Sequence, residues 1–222
     1  MKSIIIYGCT MFSSELYAIL SSELGNDAVV AFTVNKEYKT TESFEGLPVY
    51  AFEDLTNYFN KEDIGILIAI GYNNLNKLRE NIYLSCKNTG YKIYTFISKN
   101  ALIYSNEIGE GSIIMPGSYV GPFCKLGLCN IIKFGVSLPH HVNIGNFNWI
   151  AGGTIFGGKA QVGNHCFIGL SSTIRNEIVI ADETFIGAKS YMSSNTKVGS
   201  AYYGIPAKLV EDRTSQEIIN RV

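Results

Sequence analysis

Residues 144–167 read IGNFNWIAGGTIFGGKAQVGNHCF, and they divide into four blocks of six that open on Ile, Ile, Phe and Val. An apolar residue recurs at this spacing without interruption from Leu102 to Val198. Glycine often follows it, and a small or β-branched residue often stands four positions after it. A period of six is the signature of a parallel β-helix, in which three blocks close a triangular coil. The sequence therefore predicts about five coils, with both repeated positions facing the core.

The part of the chain before residue 98 follows another pattern. Runs that are apolar enough for buried strands alternate there with helical periodicity, which is typical of a parallel α/β sheet. The predicted strands are 4–8, 28–34, 65–71 and 92–97, and the predicted helices are 11–25 and 75–87. We predict a small Rossmann-like α/β domain over 1–97 and a β-helix domain over 98–222, whose tail closes with a short helix over 215–221.

Composition excludes several classes of protein. The 222 residues carry 18 basic and 19 acidic side chains mixed along the chain, for a net charge of -1, which offers nucleic acid no basic stripe. No apolar run approaches a membrane span, and the run at 4–7 is too short for a signal peptide. The five cysteines lack CxxC spacing, which favours free thiols in a reducing cytoplasm over disulfides or a zinc site.

Four features together resemble a known family. They are the opening IIIYGCTMFSSEL at 4–16, the uninterrupted hexads, a histidine pair at a predicted corner, and GIPAK at 204–208. In these the chain is similar to the bacterial sugar O- and N-acyltransferases of the left-handed β-helix, or hexapeptide-repeat, superfamily. The similar branches are the nucleotide-aminosugar N-acetyltransferases and the sialic acid O-acetyltransferases. The resemblance implies a left-handed β-helix, a homotrimer, acetyl-CoA in clefts between neighbouring β-helices, and a nucleotide-linked aminosugar held partly by the N-terminal domain.

The resemblance, together with the chemistry of the side chains, gives candidates for individual roles. The catalytic candidates are His140 and His141. Contacts to acyl-CoA are predicted for Gly157, Gly158, Lys189 and Lys208, and contacts to the acceptor for Gly8, Thr10, Asn35 and Trp149. The resemblance implies no metal.

The histidine pair is predicted where side chains can leave the coil. Counted from Leu138, His140 and His141 are the third and fourth residues of their hexad, and therefore belong to a corner. Gly158 occupies the same corner one coil, or 18 residues, after His140. Since stacked strands are about 4.8 Å apart, a Gly158 N–H next to a thioester carbonyl is geometrically feasible. Histidine is suited to taking a proton from an attacking amine or hydroxyl near neutral pH.

Four positions depart from the family pattern. His141 stands where relatives usually carry a carboxylate beside the catalytic histidine, and Trp149 stands where they carry another histidine. Val34 and Asn35 replace a common acidic pair after the second strand, so contacts to a ribose or base must be rearranged. We expect Trp149 either to shape the acceptor pocket or to cover a surface between subunits.

Several functions are compatible with the sequence. The leading hypothesis is N-acetylation of a nucleotide-linked deoxy aminosugar for surface polysaccharide or glycoprotein glycan synthesis, with histidine as the general base. O-acetylation of a sialic acid type sugar and a non-catalytic scaffold are the alternatives. A zinc hydratase on the same fold needs histidines that converge. Because His140 and His165 are one coil plus seven residues apart, we expect them on different faces.

Overall fold

A computed structural model describes residues 3–221, which form two compact units. The N-terminal unit comprises 3–71 and 81–95, and the β-helix unit comprises 72–80 and 96–221. The sequence did not single out the segment 72–80. The domain boundary at residue 97 stays a prediction. Among the described residues, no helix combines the length and the apolar character that crossing a bilayer requires.

The N-terminal unit is built on one six-stranded sheet. Its elements are β1 (Ser3–Tyr7), α1 (Met11–Leu24), β2 (Val29–Val34), β3 (Ser43–Phe44), β4 (Leu47–Ala51), β5 (Ile64–Ile68), α2 (Lys77–Asn88) and β6 (Lys92–Ile93), with 3-10 helices at Lys36–Tyr38 and Phe52–Asn57. The strand order is β3-β4-β2-β1-β5-β6, and all neighbouring strands are parallel except β3 and β4, which form a hairpin. The first turn of α2 groups with the β-helix unit.

Local chemistry explains the limits of these elements. Helix α1 begins at Thr10, whose side chain accepts a hydrogen bond from the Ser13 N–H, and it ends at Gly25, which has φ +102°. The predicted strands and helices of this unit are confirmed within a few residues, apart from the strand 92–97, and the β3–β4 hairpin was not predicted. Its turn has positive φ at Glu45 and Gly46, a backbone suited to a two-residue hairpin loop.

The β-helix unit contains 17 two-residue strands before its C-terminal hairpin. They are β7 (Phe96–Ile97), β8 (Leu102–Ile103), β9 (Glu107–Ile108), β10 (Ile113–Ile114), β11 (Tyr119–Val120), β12 (Lys125–Leu126), β13 (Ile131–Ile132), β14 (Ser137–Leu138), β15 (Asn143–Ile144), β16 (Trp149–Ile150), β17 (Ile155–Phe156), β18 (Gln161–Val162), β19 (Phe167–Ile168), β20 (Thr173–Ile174), β21 (Val179–Ile180), β22 (Phe185–Ile186) and β23 (Tyr191–Met192). Every third strand stacks in one parallel sheet, so the chain forms three faces, as the hexads predicted.

We name the faces in chain order. Face 1 holds β7, β10, β13, β16, β19 and β22, face 2 runs from β8 to β23, and face 3 runs from β9 to β21. The predicted strand 92–97 is wrong as a single element, because β6 belongs to the N-terminal sheet whereas β7 opens face 1. Between these two strands the Tyr94 ring lies against Gly65 of the N-terminal sheet.

The apolar repeat positions build the core of the β-helix. They are buried from Ile114 to Met192, and the small residues four positions later are buried as well. Two predicted core positions are wrong, since Leu102 is 61% exposed and Val198 is 69% exposed. Val120 pairs with Ile103 rather than with Leu102, so the first coil is one residue short and Ile103 turns inward. Val198 lies in a turn beyond the last hexad strand.

The outer surfaces of the three faces differ. Face 3 presents polar side chains, including a 2.9 Å ion pair between Lys125 and Glu107. Face 2 presents exposed apolar side chains such as Ile155, and its corner with face 1 adds Phe134 and Leu170. Exposed apolar surface of this kind indicates an interaction surface. Face 1 presents a column of aromatic rings that are largely buried within the unit.

The chain closes with a hairpin and a helix. Strand β24 (Ser200–Gly204) adds to face 1, and β25 (Ala207–Thr214) returns antiparallel to it across the Ile205–Pro206 turn. Helix α3 (Ser215–Ile219) is capped reciprocally by Thr214 and Glu217. The closing helix is therefore confirmed, whereas the sequence analysis missed the strand that precedes it.

Candidate active site

The corner between faces 2 and 3 carries the histidine pair. We call this site the histidine corner, and it comprises Phe123, His140, His141 and Gly158 with their immediate neighbours. The His140 ring lies directly against the backbone of Gly158, where a Cβ would overlap the imidazole. The predicted juxtaposition of His140 with Gly158 one coil later is therefore present. Within residues 3–221, no protein acceptor takes the Gly158 amide hydrogen.

The two histidines are hydrogen-bonded to each other. Their Nδ1 atoms are 3.2 Å apart, so one Nδ1 carries a proton and the other accepts it. If His140 donates, its Nε2 is left as the free lone pair of a general base, and His141 carries its own proton on Nε2. His141 can therefore orient a neutral His140 as an uncharged acceptor.

Neighbouring coils hold His141 in place. Its backbone is left-handed, with φ +55°, and the exposed Phe123 ring lies 4.7 Å from the imidazole at a tilt of 31°. On the next coils the same column carries Lys159 and Glu177, which pair at 3.4 Å. In this column the Glu177 carboxylate therefore pairs with Lys159. The His140 Nδ1 is instead hydrogen-bonded to the His141 imidazole.

A second site lies on face 1 and its corner with face 2. We call it the aromatic groove, and it encloses a cavity of about 420 Å³. Its defining side chains are Tyr72, Lys133, Trp149, Phe167, Phe185 and Tyr203. Lining by aromatic side chains with one cation is typical of binding pockets for organic molecules.

The rings of the groove form a continuous series. Phe167 and Phe185 are stacked with centroids 4.9 Å apart, and Tyr72 meets Trp149 and Phe167 edge-on at 5.2 and 4.8 Å. The Lys133 ammonium lies 5.7 Å from the centroid of the Trp149 ring, within the range of a cation–π contact. Trp149 is only 8% exposed.

Glycines shape the floor of the groove. Gly169 and Gly187 line it, and a Cβ at Gly187 would overlap the ring of Tyr203. Glycine therefore allows Tyr203 to lie flat against the coil. Lys189 lies two residues after Gly187 on the same corner, and Lys208 pairs with Tyr203 across the hairpin, both with exposed side chains.

The predicted site residues thus fall into separate places. Gly157 and Gly158 lie at the histidine corner, whereas Trp149 lies in the aromatic groove. Lys189 and Lys208 lie within five residues of the groove residues Gly187 and Tyr203 in sequence. One chain therefore does not bring its Trp149 to its own His140, because Trp149 lies on face 1 and His140 lies at the corner between faces 2 and 3. A Cβ at Gly157 would overlap the backbone of Asn176, so this glycine is required by coil stacking.

The predicted acceptor residues of the N-terminal unit have clear structural roles. Gly8 has φ +123°, and a Cβ there would lie 2.9 Å from the Ala69 carbonyl oxygen. Thr10 caps α1, and the Asn35 side chain accepts a hydrogen bond from the Tyr7 hydroxyl. Burial is the first cause that raises the pKa of Tyr7 far above its ordinary value, so this phenol stays protonated and donates. Contacts of Gly8, Thr10 and Asn35 with an acceptor stay predictions.

His165 is more than a surface histidine. Its ring stacks on Phe147 with centroids 5.5 Å apart, and its Nε2 lies 3.3 Å from the Glu80 carboxylate.

Four of the five cysteines are buried, and burial raises the pKa of both Cys129 and Cys166 to about 12. Over the part of the chain that the structure describes, no three metal-ligating side chains come together.

Most of the aromatic groove was not predicted, although the sequence contains a signal for it. Trp149, Phe167 and Phe185 are spaced by 18 residues, one coil, so they had to stack on a single face. Tyr72 carried no such signal, since it reaches the groove from outside the hexads.

No protein-family model matches the chain. Among curated proteins, it is 28% identical over 119 residues to 2,3,4,5-tetrahydropyridine-2,6-dicarboxylate N-succinyltransferase of Polynucleobacter asymbioticus, covering 51% of this chain and 42% of the relative. It is 30% identical over 132 residues to the bifunctional protein GlmU of Streptococcus pyogenes, covering 47% of this chain and 27% of the relative. The matches thus span less than half the length of these relatives.

Solved structures match nearly the whole chain. PerB of Caulobacter crescentus, in complex with CoA and GDP-perosamine, gives a TM-score of 0.82 at 20% identity, covering 95% of this chain and 98% of PerB. WeeI of Acinetobacter baumannii gives 0.84 at 20% identity, covering 95% and 100%. The acetyltransferase domain of PglB from Neisseria gonorrhoeae gives 0.73 at 21% identity, covering 95% and 100%. The chain therefore has, as its sequence predicted, the fold of these proteins, a small α/β domain followed by a left-handed β-helix.

Proposed function

We propose that the protein is an acetyl-CoA-dependent acetyltransferase that acetylates the amino group of a nucleotide-linked aminosugar. The observation that carries this proposal is the His140 imidazole held against the Gly158 backbone and hydrogen-bonded through Nδ1 to His141. The fold supports it, since PerB has been solved in complex with CoA and GDP-perosamine. The chemistry of the corner fits a general base next to a backbone N–H donor.

The proposed reaction begins at the acceptor amine. Its nitrogen attacks the thioester carbonyl carbon while His140 Nε2 takes the proton, and the Gly158 N–H donates to the oxyanion that forms. The C–S bond then breaks, and the proton held by His140 passes to the departing CoA sulfur. The products are the N-acetylated sugar and CoA with a free thiol. His141 accepts the His140 Nδ1 hydrogen throughout, which keeps the reactive tautomer in place.

We further propose that the complete site needs a second copy of the chain. Exposed Ile155 and the flanking Phe134 and Leu170 favour burial of face 2. If three copies turn face 2 towards a three-fold axis, the corner between faces 1 and 2 of one copy meets the corner between faces 2 and 3 of the next copy. The aromatic groove of one copy would then adjoin the histidine corner of the next.

In this arrangement the groove holds the uncharged arm of acetyl-CoA. An arm with little charge suits walls built from Trp149, Phe167 and Phe185. Lys189 and Lys208 supply ammonium groups for the CoA phosphates. Trp149 then lines the wall where donor and acceptor meet.

The test is an acetyl-transfer assay with the intact chain. Acetyl-CoA is offered with UDP-, dTDP- and GDP-linked aminosugars and with free sialic acid, and CoA thiol release and product mass are measured. We expect transfer to a nucleotide-linked aminosugar. Transfer to sialic acid alone would replace the proposal with O-acetylation, and a chain whose melting temperature acetyl-CoA does not change would indicate a non-catalytic scaffold.

A further inference from the structure

Residues 72–80 form a segment that we call the strap, and they group with the β-helix unit although they precede it in the chain. The strap contains an uncommon backbone. Asn74, Leu75 and Asn76 are three consecutive non-glycine residues with positive φ, at +52°, +46° and +64°. Each left-handed residue of this kind costs on the order of 1 kcal/mol. Contacts outside the strap's own backbone must offset that cost.

Side chains of the strap supply those contacts, and Arg79 is chief among them. Arg79 is fully buried. Its Nε donates to the Cys129 carbonyl oxygen and its Nη2 to the Asn148 carbonyl oxygen, both at 3.0 Å. The guanidinium therefore spans adjacent coils, which a lysine ammonium does not match in geometry. Burial lowers the pKa of Arg79 to about 10, so the group remains charged at neutral pH.

Three further contacts reach from the strap to neighbouring columns of the β-helix. The Asn76 amide donates to the Cys166 carbonyl oxygen at 3.1 Å, and Asn76 is fully buried. The Lys77 ammonium pairs with Glu183 at 3.0 Å from a partly exposed position. Glu80 faces His165. Buried hydrogen bonds to backbone hold geometry more firmly than exposed ion pairs.

The first residue of the strap, Tyr72, lines the aromatic groove. The Tyr72 ring meets both Trp149 and Phe167 edge-on. Tyr72 is the one defining side chain of the groove that comes from outside the hexads and the C-terminal hairpin. The position of this wall therefore depends on how the strap is held.

We infer that Arg79, with Asn76, is a positioning residue of the aromatic groove. These side chains hold the left-handed strap against the coils and thereby keep Tyr72 packed on Trp149. Neither residue lines the groove. The expected effect on acetyl-CoA binding deepens the proposed function and rests on it. The expected effect on the packing of Tyr72 against Trp149 does not rest on the proposed function.

The chain contains one tryptophan, so intrinsic fluorescence reports on the groove directly, without substrate. The experiment compares Arg79→Lys, Asn76→Asp, Tyr72→Ala and Tyr72→Phe with the unaltered chain, using emission maximum and acrylamide quenching. Circular dichroism establishes that each variant is folded. The matched control is Lys77→Gln, which removes the partly exposed ion pair of the same strap and leaves the buried hydrogen bonds intact.

We expect Tyr72→Ala, Arg79→Lys and Asn76→Asp each to shift Trp149 emission to longer wavelength and to raise its quenching by acrylamide. Tyr72→Phe and Lys77→Gln should match the unaltered chain. A folded Arg79→Lys variant with unchanged quenching overturns the inference. If Arg79→Lys does not fold, Asn76→Asp decides in the same way, since unchanged quenching there also overturns it.

A kinetic arm separates this inference from the proposed function. In the acetyl-transfer assay, Arg79→Lys should raise the KM for acetyl-CoA while kcat is largely retained. A changed Trp149 spectrum in a chain without transferase activity would leave the positioning role intact and contradict only the proposed function. Loss of kcat with an unchanged KM would overturn the link between strap and groove.

Discussion

The histidine corner and the aromatic groove lie at opposite ends of face 2 and differ in character. The corner carries exposed, ionisable rings that rest on each other and on Phe123. The groove carries the buried rings of Trp149, Phe167 and Phe185, together with a partner, Tyr72, from outside the hexads. One region is suited to moving protons and the other to binding an apolar chain. The difference supports the proposal that a single copy holds two half-sites, which are complete only when copies meet.

The largest effect expected at either region is the loss of the base. His140→Ala should lower turnover on the order of a hundredfold or more, while the affinity for acetyl-CoA is unchanged because the groove is untouched. Steady-state kinetics and calorimetric titration with CoA measure the two quantities. Lys159→Ala at the same corner is the control, since it removes only an exposed ion pair. A His140→Ala variant with near-normal turnover would contradict the mechanism.

The second largest effect is expected from a charge placed on face 2, the surface that would join the two regions in neighbouring copies. Ile155→Lys on face 2 should release monomers of 24.4 kDa and with them most activity, because a buried unpaired ammonium is costly. Val179→Lys on face 3 is the matched control, since Val179 is 41% exposed and Ile155 is 53% exposed. Light scattering gives the masses. A monomeric unaltered chain, or an unchanged assembly in the Ile155 variant, would refute the shared site.

Mixing variants tests whether the two regions work in different copies. His140→Ala leaves the groove intact, whereas Ala188→Phe fills the groove and leaves the corner intact. Each variant alone should be nearly inactive. Equal co-assembly should restore about a quarter of the activity, since half of the grooves are intact and half of those adjoin an intact corner. No recovery in mixed trimers would mean that groove and corner act within one chain, and an Ala188→Phe variant that is active alone would mean that the groove is not used.

Much of the β-helix could be predicted because its period is dictated by sequence at every coil. The apolar residues from Ile114 to Met192 left no other register. The ends were less predictable. Leu102 kept the six-residue spacing although the first coil is one residue short, because Ile103 beside it is equally apolar and takes the inward position. Periodicity cannot choose between adjacent apolar residues.

The site could be predicted only where it follows the repeat. His140 over Gly158 is a consequence of 18-residue stacking, and so is the column of Trp149 and Phe167. The strap could not be found in this way. Its place depends on hydrogen bonds from Arg79 to the carbonyl oxygens of Cys129 and Asn148, which are far from Arg79 in sequence. No local propensity encodes such tertiary contacts. Helix periodicity also gives no sign that Asn74, Leu75 and Asn76 have left-handed backbone.

The smallest expected effect distinguishes the two histidines within the corner. His141→Ala should lower turnover about two- to tenfold, the equivalent of a neutral hydrogen bond of roughly 0.5–1.5 kcal/mol, and far less than His140→Ala. His141→Gln should retain most of the rate, since its amide oxygen can accept the His140 Nδ1 hydrogen. In His141→Glu a carboxylate accepts the same hydrogen and stabilises the imidazolium that forms as His140 takes the proton, so turnover should rise. Turnover measured for the three variants tests this. If His141→Ala were inactive and His140→Ala active, the roles of base and partner would be reversed.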